Sequence, residues 1–259
     1  AAGALRRGAG ITLLALVIGG SVGYLVRTVP APLAGPDKAA SVLPRPPRQA
    51  DFAGQPASPE ARFIANWVTD SGDNGPLSFV IIDKKHTRAY VFDPGGRLLG
   101  ASPVLLGAAT GDESVSGIGQ RPLSQVQPEE RTTPAGRFMG EPGRNASGED
   151  IVWVDYDAAV SMHRVRTGNA SEQRLQRLAS PSTHDNRISF GCINMPPAFY
   201  DKVLSPQFRA RYGVVYVLPD VKPVREVFAQ AYDPSARPRV SLAAGRQVAG
   251  AGAAPGPRL

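Results

Sequence analysis

The sequence predicts a mostly β domain with a few short helices. Six short runs rich in β-branched and aromatic residues are separated by turn-forming residues, a pattern typical of strands and hairpins. These runs are Ser78–Asp83, Arg88–Phe92, Leu98–Leu106, Ile151–Tyr156, Val160–His163 and Tyr212–Leu218. Helical signals are fewer: a start at Ser58-Pro59-Glu60, a proline-led segment from Pro196 to Leu204, and the stretch Pro223–Tyr232.

The composition fits one folded domain flanked by unpacked segments. With 259 residues, 42% of them hydrophobic, the chain can bury a core of its own, but 25 prolines and 28 glycines are too many for every segment to be packed. The formal net charge of +7 suits an anionic partner. No Lys/Arg block interleaved with aromatic residues and no zinc-finger spacing is present, so nucleic acid is not a predicted partner.

The N-terminal segment predicts an export signal followed by a tether. Residues 8–26 carry no charge and lie between Arg6-Arg7 and Arg27, a length close to the roughly 20 residues that span a bilayer. Residues 1–27 are therefore predicted as a signal anchor or signal peptide, the anchor being favoured because no clear small-x-small cleavage site follows. Residues 28–60, with eight prolines, predict a Pro/Ala-rich linker. The working part is then expected outside the cytoplasm, held at the membrane through the N-terminal helix.

The folded domain is predicted over residues 61–221, followed at 222–259 by a short helix and a disordered tail. Within the domain, residues 107–131 are rich in Gly, Ser, Gln and Glu and too long for an ordinary hairpin connection. They predict a surface flap.

Cys192 is the only cysteine of the chain and lies in a small-residue turn at 189–194. A lone cysteine either packs as a small buried hydrophobic residue or reacts. Gly191 permits close approach of the backbone to a substrate, and Ser189 and Asn194 can hold the loop through hydrogen bonds. This setting favours a nucleophile.

A cysteine nucleophile needs a neighbouring base, and histidine is the usual one because its pKa lies near neutrality. His86, His163 and His184 all precede Cys192, which excludes the chain order of papain-like proteases. His163 is the first choice because it ends a strand-like run, whereas His184 lies in a polar turn and is the alternative base. These scattered residues give no metal-binding spacing, and no Gly-x-Ser-x-Gly or Ser-x-x-Lys motif supplies a serine nucleophile.

Three motifs together resemble the L,D-transpeptidase (YkuD-like) catalytic domain. They are Thr-Pro-Ala-Gly-Arg-Phe at 133–138, Met162-His163, and Ser-Phe-Gly-Cys-Ile-Asn at 189–194, within a match that runs over about residues 77–219. The resemblance implies a β-sandwich-like domain of the bacterial cell envelope. It also implies that the partners are peptidoglycan stem peptides and that no metal or organic cofactor is needed.

The resemblance further implies a reaction and roles. Cys192 would attack the carbonyl before the terminal D-alanine of a tetrapeptide stem, D-alanine would leave, and an amine of a second stem would resolve the thioester into a 3→3 crosslink. His163 would serve as the general acid and base. Backbone N–H groups of the Gly191-Cys192 turn would stabilise the oxyanion, with Ser189 and Asn194 shaping the loop.

Two departures from the family pattern bear on substrate and base. Phe190 stands where many members have a histidine, which affects any substrate contact at that position. The interval between His163 and Cys192 is longer than usual, with residues 164–185 as an inserted loop, and this keeps His184 as an alternative base. Arg187 could bind a stem carboxylate or cap a solvated loop.

Two other functions remain compatible with the sequence. Water could resolve the same acyl-enzyme, which would make the protein a cysteine-dependent L,D-carboxypeptidase or endopeptidase. A non-catalytic cell-wall-binding module is the third reading, and it requires an inert Cys192.

Overall fold

The computed structural model describes residues 45–209 and 211–236. The chain divides into two units, Ala1–Leu43 and Pro44–Leu259, and every described residue belongs to the second. The predicted anchor at 1–27 and the tail beyond residue 236 lie outside the described residues. Within the described ranges, no helix combines the length and apolar character needed to cross a membrane.

The described domain is mostly β with short helices, which confirms the predicted class. Its strands are β1 Phe79–Asp83, β2 Arg88–Phe92, β3 Leu98–Pro103, β4 Leu106–Gly107, β5 Gly136–Arg144, β6 Asp150–Asp155, β7 Val160–Arg164, β8 Arg187–Ser189, β9 Ile193–Met195 and β10 Gly213–Val217. Its α-helices are α1 Pro59–Ser71, α2 Arg174–Ala179, α3 Pro197–Phe199, α4 Ser205–Phe208 and α5 Val224–Val227. A π-helical turn, Tyr200–Leu204, joins α3 to α4.

Helix α1, the longest helix among the described residues, begins and ends at residues that are typical helix caps. The hydroxyl of Ser58 accepts a hydrogen bond from the N–H of Ala61 at 3.0 Å, and Pro59 occupies the first helical turn, where a missing N–H costs nothing. Gly72 ends the helix in a left-handed conformation, and its N–H donates to the carbonyl of Val68. These signals lie in the sequence itself.

Eight strands form one curved sheet in the order β3-β2-β1-β10-β5-β6-β7-β9, and β4 pairs with β8 beside it. Strand β5 is shared between two halves: residues 136–140 pair with β10, and residues 141–144 pair with β6. Near the opposite ends of the sheet, Leu105 and Asn194 exchange backbone hydrogen bonds of 2.9 Å. The two halves thus face each other in a nearly closed, barrel-like arrangement.

Two hydrophobic cores follow from the alternation of side chains along the strands. Val80 and Ile82 of β1 join the core enclosed between the two halves of the sheet. Phe79 and Ile81 point the other way and pack beneath α1. Because β1 and β10 are buried on both faces, their sequences are continuous apolar runs.

The folded part begins earlier than the predicted linker boundary at residue 60. Phe52 is 4% exposed, and its ring lies 5.5 Å from that of Tyr90 and 5.1 Å from that of Phe92. Asp51 forms a bridge with Arg97 at the edge of the sheet. The many prolines around Phe52 led to the prediction of an unpacked linker, whereas Phe52 belongs to the core beneath α1.

Candidate functional site

The loop that carries Cys192 joins β8 to β9 and depends on glycine at position 191. Gly191 has φ +131°, and a Cβ atom there would lie 2.7 Å from the carbonyl oxygen of Thr132. A side chain would therefore be both strained and in collision with backbone. The glycine lets the loop pass directly against the segment that precedes β5.

Side-chain hydrogen bonds hold this loop from within. The hydroxyl of Ser189 donates to the carbonyl oxygen of Cys192 at 2.7 Å and accepts from the N–H of Gly191 at 3.1 Å. The amide of Asn194, which is fully buried, donates to the same Cys192 carbonyl at 3.1 Å. Both residues predicted to shape the loop therefore contact its backbone.

Thr133 makes a third contact with this loop. The sequence identified its motif at 133–138 but did not predict that Thr133 would hold the cysteine loop. The Thr133 hydroxyl donates to the carbonyl of Gly191 at 2.8 Å and accepts from the N–H of Gly107 at 2.9 Å. The buried ammonium group of Lys84 in turn binds the carbonyl of Thr133 at 2.7 Å. Thr133 of the Thr-Pro motif thus holds the cysteine loop from outside that loop, and we call this pair of hydrogen bonds the clamp.

These bonds change the expected oxyanion donors. The N–H of Gly191 is already engaged by Ser189, so it is not available to a substrate without breaking that bond. The N–H of Cys192 has no acceptor among the residues that the structure describes. Of the two donors expected from the turn, Cys192 is the one left available.

The sheet brings His163 next to Cys192. Strands β7 and β9 pair in parallel, with Met162 opposite Ile193 and His163 opposite Asn194. The Nδ1 atom of His163 lies 2.7 Å from the carbonyl oxygen of Arg164. Because a carbonyl can only accept, Nδ1 must carry the proton, which leaves Nε2 for the thiol.

The surroundings of the thiol favour its ionised form. Burial raises the pKa of Cys192, but the hydrogen bond and charge of His163, together with hydrogen bonds from Ser161, outweigh it, so the pKa lies below its ordinary value of 9.0. The Ser161 hydroxyl is 3.7 Å from Sγ, and the carbonyl of Ala159 is 3.5 Å away. The thiol is half-buried and so remains partly accessible from the surface, and its lowered pKa increases the fraction present as thiolate.

Cys192 and His163 line a cleft of about 220 Å³. Its walls come from the flap predicted at 107–131, from the β6–β7 turn and from the segment 164–185 that was predicted as an inserted loop. The lining residues are Ile118, Gly119, Arg121, Leu123, Val126, Ala158, Ala159, His163, Arg166, Arg174, Ser189, Phe190, Cys192 and Asn194. Arg174 lines the cleft but was not predicted as a site residue, because the sequence around α2 contains no motif that indicates a site.

A larger cavity of about 320 Å³ lies elsewhere, between β5, β6 and α4. Arg144, Asp150 and Phe208 are among its lining residues, and none of the predicted site residues is. Volume alone would have indicated the wrong place, whereas the chemistry of the lining indicates the cleft at Cys192.

The remaining predicted residues separate into those at the cleft and those away from it. Phe190 lines the cleft, and the guanidinium of Arg131 lies 4.2 Å from the centre of its ring. His184 is exposed and does not line the cleft. Arg187 also lies off the cleft, because both its terminal nitrogens bind Asp220, at 3.1 and 2.7 Å.

Arg187 belongs instead to a buried ionic cluster behind the cysteine loop. Lys84, with no exposed surface, binds Asp112 at 2.9 Å and lies 3.5 Å from Asp220. Asp112 also accepts from the backbone N–H groups of residues 220–222. Burial raises the pKa of Asp112, but these N–H groups and the Lys84 ammonium outweigh it and bring the pKa to about 2.

Metal-ligand geometry is not found in the described part of the chain. No group of three or more His, Cys, Asp or Glu side chains there comes close enough to hold an ion. The chemistry available at the cleft is that of a thiol, an imidazole, an amide and guanidinium groups.

Comparisons with known proteins return solved structures alone. No protein-family model and no curated protein matches the chain. The crystal structure of an Enterococcus faecium L,D-transpeptidase mutant is 14% identical over 55% of this chain and 50% of that chain, with a TM-score of 0.30. The NMR structure of the catalytic domain from the E. faecium L,D-transpeptidase is 17% identical over 55% of this chain and 98% of that one, with a TM-score of 0.32.

A third match is the L,D-transpeptidase from Mycobacterium smegmatis, 17% identical over 54% of this chain and 58% of that chain, with a TM-score of 0.32. The chain spans about half the length of the first of these structures. These three solved structures, to which this chain is similar, are L,D-transpeptidases or a catalytic domain of one.

Proposed function

We propose that this protein is a peptidoglycan L,D-transpeptidase that works by cysteine acyl transfer, with Cys192 as nucleophile and His163 as general acid and base. The observation that carries the proposal is the pairing of the Cys192 thiol with His163 in a cleft, which lowers the thiol pKa. The motifs at 133–138 and 189–194 support the same reaction class.

In the first half of the reaction, the Cys192 thiolate attacks the carbonyl that links the third stem residue to the terminal D-alanine. The C–N bond breaks after a tetrahedral intermediate, and His163, protonated by the thiol, returns that proton from Nε2 to the leaving amine. The hydrogen bond from Nδ1 to the Arg164 carbonyl keeps the ring in the orientation that this transfer needs. A thioester on Cys192 remains.

In the second half, an amine of a second stem attacks the thioester. His163 accepts the amine proton, the new amide bond forms, and the C–S bond breaks to regenerate the thiol. The N–H of Cys192 donates to the oxyanion in both halves, since it alone of the turn's two expected donors is free of an internal bond.

The proposal includes a place of action in the bacterial envelope. The uncharged run at 8–26, flanked by arginines, supports export and anchoring in the inner membrane. The catalytic domain would correspond to residues 61–221 with the packed segment around Phe52 added, and peptidoglycan stems would be the partner.

The test incubates the purified full chain with a disaccharide-tetrapeptide and analyses the products by mass, beside Cys192→Ala and His184→Gln variants. We expect dimers that have lost one alanine, formed by the wild type and by His184→Gln and absent from Cys192→Ala. Alanine release without dimers would instead support a cysteine-dependent hydrolase. Products that do not depend on Cys192 would contradict the proposal.

A further inference from the structure

The lining of the cleft at Cys192 contains basic side chains but no acidic ones. Three arginines, Arg121, Arg166 and Arg174, line it, and no aspartate or glutamate does. Each arginine is paired with a glutamate, but Glu130, Glu149 and Glu172 do not belong to the lining. The lining of the cleft therefore includes three guanidinium groups and no carboxylate.

Arg174 differs from the other two in burial and position. Its side chain is 13% exposed, against 30% for Arg121 and 52% for Arg166. Its Nη1 atom donates to the side-chain oxygen of Asn194 at 2.8 Å. The Asn194 amide in turn donates to the carbonyl of Cys192, so two hydrogen bonds separate Arg174 from the nucleophile's own backbone.

The guanidinium of Arg174 is fixed by two hydrogen bonds and still has N–H donors that bind no described residue. Nε donates to Glu172 at 2.5 Å and Nη1 donates to Asn194, which fixes the plane of the group. Nη2 has no acceptor among the described residues, and Nη1 retains a second hydrogen. By contrast, both terminal nitrogens of Arg121 are engaged by Glu130, at 3.1 and 3.0 Å. A preorganised guanidinium with unused donors matches a carboxylate.

We propose that Arg174 is the carboxylate-binding residue of this cleft and that it binds the free α-carboxylate of the terminal residue that leaves in the first half of the reaction. The choice of a peptide donor rests on the proposed function, whereas the anion subsite rests on the arrangement of Arg174, Glu172 and Asn194. The inserted loop at 164–185 thereby acquires a role, because it delivers this guanidinium to the site.

The subsite can be tested without any enzymatic turnover, because Cys192 is the only thiol of the chain. The full chain is alkylated with iodoacetate, which is anionic, and with iodoacetamide, its neutral analogue of similar size, at low ionic strength. The ratio of the two rates reports the attraction of the cleft for a carboxylate and cancels changes in thiol reactivity.

The variants are Arg174→Gln, which keeps an N–H donor for Asn194, Arg174→Lys, which keeps the charge, and Arg144→Gln, an equal charge change away from the cleft. We expect the iodoacetate to iodoacetamide ratio to fall about three- to tenfold in Arg174→Gln, to recover in part in Arg174→Lys, and to stay unchanged in Arg144→Gln. Equal ratios in Arg174→Gln and Arg144→Gln would overturn the carboxylate subsite.

A second arm tests the selection of the donor. Wild type should release the terminal residue from a tetrapeptide acid faster than from its C-terminal amide, and Arg174→Gln should lose that preference while still processing the amide. A preference retained in Arg174→Gln would refute the selection. Absence of turnover with either peptide in the wild type would count against the proposed function, and the alkylation ratio would still decide the subsite.

Discussion

The hydroxyl of Thr133 donates a 2.8 Å hydrogen bond to the carbonyl oxygen of Gly191, joining the segment before β5 to the residue before Cys192. The same hydroxyl accepts from the N–H of Gly107, so it links three separate chain segments at one atom. The geometry of the loop that carries Cys192 thus depends on a residue that lies outside that loop.

Replacing Thr133 by valine should loosen the cysteine loop. The shape is kept, but the Gly191 carbonyl and the Gly107 N–H lose their partner inside the protein, which costs about 1–3 kcal/mol of unfolding free energy. Urea unfolding measures this loss, and the alkylation rate of Cys192 by iodoacetamide reports the loop. Thr133→Ser keeps the hydroxyl and should stay near wild type in both. A Thr133→Val protein with wild-type stability and alkylation would contradict the clamp.

Replacing Gly191 by alanine should damage the site more than an ordinary glycine substitution. Its added Cβ would meet the Thr132 carbonyl at 2.7 Å, in a backbone conformation that alanine disfavours. Gly148→Ala is the matched control, since Gly148 has φ +80° but nothing within 4 Å of the added Cβ. We expect a cost of about 1–2 kcal/mol for the control, from backbone strain alone, and a larger cost with slowed alkylation for Gly191→Ala. Equal costs would show that the close approach to Thr132 is not limiting.

Replacing His163 by asparagine should raise the pKa of the Cys192 thiol. In the wild type the hydrogen bond and charge of His163 hold that pKa below its ordinary value despite burial. The rate of iodoacetamide alkylation measured against pH should therefore rise at a higher pH in the variant. His184→Gln should leave the profile in place, because His184 is exposed and away from the cleft. A shift in His184→Gln that matches that of His163→Asn would favour the alternative base.

Asp112 should make the stability of the domain fall in acid. Its pKa is depressed to about 2 in the folded state from an ordinary 3.8, so its contribution is fully present above pH 3.8 and is lost as the pH falls towards 2. The shift corresponds to about 2 kcal/mol at neutral pH. Unfolding free energies of wild type and Asp112→Asn, measured by urea between pH 7 and pH 2, should converge as the pH falls. A constant difference would assign the effect of the substitution to something other than this ionisation.

The sequence could predict those strands and helices that are marked by a local pattern, either a run of apolar residues or a pair of helix caps. Strands β1, β2 and β10 each contain four consecutive apolar residues, and α1 is bounded by Ser58 and Gly72. Strand β5, with the sequence GRFMGEPGR, was not predicted, because its three glycines and one proline are residues that strands disfavour. It exists because β10 and β6 pair with it, which is information from distant parts of the chain.

The candidate site divides in the same way. Cys192 and His163 could be paired from sequence because the chain offers one cysteine and three histidines, and the structure places them side by side. Arg174 could not be found, since only the fold of the insertion brings it to Asn194. For Arg187 the sequence left open a stem carboxylate or a solvated loop, and the structure shows neither, because its guanidinium binds Asp220, 33 residues further along the chain.

The parallel pairing of β1 with β10 has a consequence for how the domain assembles. The first and last strands of the described sheet lie side by side at its centre, with Phe79 opposite Val214. Contacts between such distant segments form late and slowly, because a long loop must close before they stabilise anything. The enclosed core therefore cannot form until residue 217 is available to the folding chain. A chain that ends before β10 would leave β1 and β5 as two unpaired edges in the middle of the sheet, where exposed strands invite aggregation.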